Sequence, residues 1–231
     1  MNTVLKIENG QKKFGTKKVL ENINLEIHEG EIIALLGENG CGKTTLLKIM
    51  SGLLNLNSGS IFLENQKYDN NIKERISYLP DNFHLYNWMS IKDAKNYYND
   101  FFKDFRKDVF MEYIEKMNLD LNEKVDKLSK GNKEKLTIAL TFARDSKVYL
   151  LDEPFAGIDP FAREEIFETI INKGFDNKTI IISTQILHQL SNIIDRVIFI
   201  KNKQIIQDIY TKDVEENGEN LEKLFIQNYR R

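Results

Sequence analysis

Three stretches of this chain are apolar at almost every position: residues 32–36, 148–151 and 179–182. A strand buried on both faces requires such a run, because neither side of it meets water. Segments with helical spacing lie between and after them. Leu46, Leu47, Ile49 and Met50 supply one buried face before Gly52, and further helices are expected at 160–172 and 187–193. Short buried strands alternating with helices predict an α/β fold with a mostly parallel sheet covered on both sides. Elsewhere the period is two. Residues 4–8 alternate like an edge strand that stops at Asn9-Gly10, and 19–27 alternates again through Leu20, Ile23, Leu25 and Ile27, beyond the punctuation at Gly15-Thr16. An N-terminal antiparallel β layer is therefore expected. Ser58-Gly59 reads as a turn into a strand at 61–63, residues 76–79 as a short strand ending at Pro80, and 197–200 with 204–209 as a closing hairpin divided by Asn202. From Ser90 the spacing becomes three and four. Ile91, Ala94, Tyr98, Phe101 and Phe105, then Val109, Phe110, Tyr113, Ile114 and Met117, describe two amphipathic helices whose aromatics read as core.

Chemistry enters where the first buried run ends. Gly37-Glu38-Asn39-Gly40-Cys41-Gly42-Lys43-Thr44-Thr45 matches G-x-x-x-x-G-K-T in the strand-then-helix setting that this pattern needs. Its glycines let successive N–H groups face one concavity, and the following helix N-terminus adds partial positive charge, so the loop is read as a phosphate cradle. Lys43 is placed to reach the β- and γ-phosphates, and the Thr44 hydroxyl to ligate Mg²⁺. The second buried run ends in Asp152-Glu153. Phosphoryl chemistry needs both groups: Asp152 for the metal, and Glu153 as general base for the attacking water.

Composition narrows the setting. With 41% hydrophobic and 29% charged residues and a net charge of −2, the surface is that of an ordinary soluble domain, so no nucleic-acid partner is expected. No run has membrane-spanning length and no apolar targeting segment opens the sequence, so the chain is expected in the cytoplasm, with any membrane role supplied by a partner. The single cysteine, Cys41, rules out an internal disulfide and serves as a small side chain that does not crowd the loop.

Leu128-Ser129-Lys130-Gly131-Asn132, placed before a helix and upstream of 148–153, resembles the signature sequence of the ABC (ATP-binding cassette) transporter family. Essentially the whole chain resembles that family's ATP-binding subunit, with the motifs in the family's order. The resemblance implies a P-loop NTPase cassette with a core at 1–89 and 128–212, a helical subdomain at 90–127 and a tail helix within 213–231. It implies ATP and Mg²⁺ as cofactors. Phe14 falls where the family stacks an aromatic on adenine, with Val19 packing nearby, and Asp159, in Ala156-Gly157-Ile158-Asp159, falls in its D-loop. Ser129 and the N–H of Gly131 become a second anion site, closing on the γ-phosphate of ATP held by an opposite subunit. The implied partners are a second cassette, identical or paralogous, and a multi-spanning membrane permease, which places the chain on the inner face of the cell membrane. Lys130 and the compact helical segment look most like cassettes of ABC-2-type exporters. The runner-up is a soluble cassette whose ATP-driven dimerisation regulates a cytoplasmic partner.

Two positions depart from the family. Its glutamine after Ser77-Tyr78-Leu79-Pro80 is Asp81, which can ligate the metal while adding negative charge near the γ-phosphate. Its switch histidine after Ser183-Thr184 is Gln185, which can hydrogen-bond or orient water but cannot carry a proton, and His188 follows three residues on. Slow hydrolysis is the expected consequence. Residues 81–89 fall where the family receives a helix of the membrane subunit: Phe83, Leu85, Tyr86 and Trp88 either line that groove or seat the helical segment on the sheet.

Overall fold

Two sheets organise the computed structural model, which describes residues 2–68, 74–155, 178–184, 193–216 and 223. Among the described residues the first sheet is antiparallel, with strand order β2-β1-β4-β5, from β1 (Thr3–Phe14), β2 (Lys17–His28), β4 (Ser58–Leu63) and β5 (Gln66–Lys67). The second has the order β10-β9-β3-β8-β7-β6. It comprises β3 (Ile32–Leu36), β6 (Ile76–Leu79), β7 (Val148–Asp152), β8 (Thr179–Ser183), β9 (Arg196–Lys201) and β10 (Gln204–Tyr210). All its pairs are parallel except the closing β9–β10 hairpin. The α/β class, the antiparallel layer and the parallel core are thus as the hydrophobic pattern predicts.

Two N-terminal expectations are corrected. β1 is an interior strand, paired to β2 on one side and β4 on the other, and it runs through Asn9-Gly10. The register shifts between Ile7 and Gly10, where Asn9 takes a φ of 51°, so the pair bends the strand without ending it. Ser58-Gly59 likewise lies inside β4. Gly59 has a φ of +91°, and a Cβ there would stand 2.5 Å from the Asn9 carbonyl oxygen, so a glycine is what lets β4 close on the bulge.

Alternation along each buried strand divides the core in two. Ile33, Leu35, Val148, Leu150 and Ile181 point to one face, against Leu46, Leu47, Ile49 and Met50 of α1 (Lys43–Met50) and the antiparallel sheet. Ala34, Leu36, Tyr149, Leu151, Ile180 and Ile182 point to the other, against α2 (Ile91–Phe101), α3 (Lys107–Lys116) and α4 (Lys130–Phe142). Ser90 opens α2 with a reciprocal capping box to Asp93. A buried guanidinium ties this helical layer to the sheet. Arg144 pairs with Asp104 at 3.0 Å, donates to the Ile76 carbonyl at 2.8 Å and lies 4.0 Å over the Phe102 ring. The helix expected at 160–172 lies outside the described residues, as do nearly all of 187–193 and most of 213–231.

Candidate phosphate-binding and catalytic site

The site forms at the carboxyl ends of the parallel strands, where ligands of such sheets collect. β3 hands over to the glycine-rich loop, and α1 starts at Lys43. Gly42 caps α1 with a φ of +118°, and a Cβ there would stand 2.7 Å from the Leu20 side chain and 3.2 Å from the Val19 carbonyl. The loop is thereby pressed onto β2, which brings Val19 against it. No side chain caps the N-terminus of α1 and no acidic residue lies in its first turn, so its first N–H groups suit an anion. Asn39 and Gly40 stand at the exposed rim, while Thr45 is half-buried in the first turn of α1.

Lys43 is only 6% exposed. Its Nζ donates to the Gly37 and Glu38 carbonyls at 2.8 and 3.3 Å and lies 3.6 Å from Glu153 Oε1. Asp152 comes from the same alternation that built the core: Val148, Leu150 and Asp152 face α1, which sets the carboxylate against the start of that helix. Thr44 Oγ1 donates to Asp152 Oδ1 at 3.1 Å, and Ser183 Oγ donates to the same oxygen at 2.8 Å. Glu153 sits one residue beyond β7 with a φ of 48°, a conformation that costs a non-glycine residue about 1–3 kcal/mol. Its N–H donates to the Ser183 hydroxyl and carbonyl, at 2.9 and 3.1 Å, which holds the turn that aims its carboxylate at Lys43.

The donor set suits a magnesium nucleotide. Among the described residues no three His, Cys, Asp or Glu side chains gather as a ready-made cage. Mg²⁺ does not need one, since it is commonly bound by one or two protein oxygens together with water and substrate phosphates. Thr44 and Asp152 are the residues that would hold it.

Sequence reasoning passed over two groups here. Besides Ser183, Tyr78 of β6 donates from its hydroxyl to Asp152 Oδ2 at 3.2 Å. Burial pushes the Tyr78 phenol far above its ordinary range, with the charges of Asp152 and Asp81 adding to the effect, so it remains a donor. The signal was available in the register: β6 and β7 are parallel, with Tyr78 opposite Leu150 and therefore on the face that carries Asp152.

The remaining expected residues are placed as follows. Phe14 stands at the end of β1 where it turns into β2, 49% exposed, with Lys12 Nζ 5.1 Å over its ring. Cys41 is half-buried and burial raises its thiol pKa, as befits an inert filler. Asp81 is exposed and accepts from Asn82 Nδ2 at 3.1 Å. Ser129 caps α4, accepting from the Asn132 N–H at 3.2 Å, so Lys130 and Gly131 lie within the first turn of the helix and not before it. Asp159, Gln185 and His188 lie outside the described residues. The segment at 81–89 divides between its two readings. Leu85 is buried and Phe83 packs against the core, whereas Tyr86 and Trp88 are 59% and 65% exposed, stacked at 6.0 Å.

Comparison with known proteins agrees with this geometry. The family model described as ABC transporter matches residues 20–156. The lantibiotic transport ATP-binding protein SrtF of Streptococcus pyogenes is 32% identical over 225 residues, covering 96% of each chain. The phosphonates import ATP-binding protein PhnC of Fusobacterium nucleatum is 29% identical over 246 residues, covering 97% of this chain and 99% of its own. A solved structure of an ATP-binding subunit of an ABC transporter superposes with a TM-score of 0.86 at 22% identity, covering 97% and 98% of the two chains, and so shares the fold.

Proposed function

The chain belongs to the ABC transporter family, and from that premise we propose that it is an ATPase subunit that pairs with a second cassette around ATP and Mg²⁺ and drives export through a separate multi-spanning membrane subunit. One observation carries this: the convergence of Lys43 with Glu153 at 3.6 Å and of Thr44 with Asp152 at 3.1 Å, where the start of α1 meets the end of β7. Lys43 and the α1 N-terminus bind the phosphates. Thr44 and Asp152 would hold the metal, which would supply positive charge against the charge building on the transferred group. Glu153 orients the attacking water and takes its proton once the phosphate has drawn Lys43 away.

Phe14 stacks on the base. Asp81 is a further carboxylate for the metal and Asp159 contributes at the nucleotide. Ser129 and the Gly131 N–H, at the start of α4, grip ATP held by the partner cassette, so that loss of the γ-phosphate weakens the pair. Among the described residues no helix is long and apolar enough to cross a membrane, and the chain is assigned to the cytoplasmic face through its partner.

Glu153→Gln should stop hydrolysis and trap the pair. With ATP and Mg²⁺, light scattering on the eluted variant should give twice the mass of one chain, while the parent returns to one. A variant that keeps the mass of one chain at saturating ATP would exclude pairing of identical cassettes.

A further inference from the structure

Asp152 is a buried carboxylate whose partners among the described residues are three hydroxyls and no cation. The hydroxyls are not equivalent. Thr44 and Ser183 both donate to Oδ1, one from the start of α1 and one from the end of β8, and Ser183 also accepts from the N–H of Glu153. Among the described residues Oδ2 has the Tyr78 hydroxyl alone, at 3.2 Å. The torsion that turns a carboxylate is broad and two-fold, so contacts on one oxygen leave the group free to swivel, and a donor on the second oxygen stops it. Tyr78 is well placed for this. Its ring packs against the core under α1, and its position opposite Leu150 sets it one pleat short of Asp152 on the same face of neighbouring parallel strands.

We infer that Tyr78 is a positioning residue for the metal site, pinning Asp152 Oδ2 so that Oδ1 stays presented to Thr44, the other oxygen of the metal pair. The inference rests on the ATPase reading given above. Partners of this kind, which touch a metal ligand and not the metal, typically alter metal affinity by about 10- to 100-fold when removed. Packing would depend on the ring; positioning depends on the hydroxyl alone.

The parent, Tyr78→Phe and Tyr78→Leu are compared with a non-hydrolysable ATP analogue. Analogue affinity is measured in EDTA, Mn²⁺ affinity of each protein–analogue complex by electron paramagnetic resonance, and stability by thermal unfolding. Both variants should bind Mn²⁺ about tenfold more weakly. Both should keep the parent's metal-free analogue affinity, and only the leucine variant should unfold earlier. If the parent binds analogue and Mn²⁺ and the phenylalanine variant binds Mn²⁺ equally well, the positioning role is overturned and the ATPase reading stands; the same holds if only the leucine variant loses Mn²⁺. A parent that binds neither analogue nor Mn²⁺ overturns the ATPase reading, and the tyrosine's role with it.

Discussion

Lys43 and Glu153 neutralise each other across 3.6 Å in a site where both are needed for other partners. On the proposed reading a phosphate competing for Lys43 frees Glu153 to accept a proton, and Gln185, read as standing in place of a switch histidine, cannot share that proton or stabilise the charge. We predict that Gln185→His raises the turnover number by about 100-fold, the low end of what a positioned acid–base group contributes. Steady-state ATPase assays with ATP binding measured alongside would decide it: unchanged turnover with intact binding removes Gln185 as the limiting group. At this scale the sequence was partly legible. Lys43, Thr44, Asp152 and Glu153 could be named because their spacing repeats a pattern with a mechanism. Tyr78 and Ser183 were not, since their importance arises only from strand neighbours far away in the chain: Tyr78 precedes Asp152 by more than seventy residues, and register alone unites them.

Elements that alternate or repeat every three to four residues were readable because periodicity is a local consequence of burial. β6, β7, β8 and α3 fall where the pattern puts them; α2 is shorter than expected, ending at Phe101, which is 68% exposed and not core, while Phe105 reaches the core from beyond the helix. β1 and β4 were misread at Asn9-Gly10 and Ser58-Gly59, because a bulge and a turn use the same residues, and only the partner strand distinguishes them. Also hidden was the joint between helical layer and sheet. Asp104, after α2, and Arg144, after α4, have no shared motif, yet they form a buried pair that also satisfies Ile76 of β6 and adjoins Tyr149 through the Arg144 carbonyl. Removing the guanidinium leaves the partly buried Asp104 carboxylate without its cation and the Ile76 carbonyl without that donor, so Arg144→Ala should cost about 3 kcal/mol of stability, the low end for breaking a buried pair. Urea unfolding followed by far-UV circular dichroism measures this; a loss below about 1 kcal/mol, the range of exposed pairs, would show that the joint carries little.

For the molecule as a whole, the consequence of the parallel arrangement is that chemistry and the exposed aromatics share one edge. β6 and β7 end together, Leu79 opposite Leu151, so the chain leaves β6 beside the end of β7 that carries Asp152, and then passes Asp81 on its way to Tyr86 and Trp88. Leu85 and Met89 anchor that segment in the core, which leaves the stacked pair presented outward at the start of α2. The irregular segment 80–89 therefore links Tyr78, beside Asp152, to the exposed pair at 86 and 88, where the family resemblance puts the helix of a membrane subunit. Replacing both Tyr86 and Trp88 with alanine removes exposed side chains only, and should shift unfolding by no more than about 0.5 kcal/mol. ATP binding should match the parent, whereas a membrane protein co-purifying with the tagged parent in mild detergent should be lost. Mass spectrometry of what co-purifies reads the outcome in both proteins. Equal recovery of that membrane protein with the double variant would move the docking surface elsewhere. Recovery of only a cytoplasmic partner with the parent would favour a cassette that acts as an ATP-gated switch, because the same edge would then transmit nucleotide state to a soluble protein.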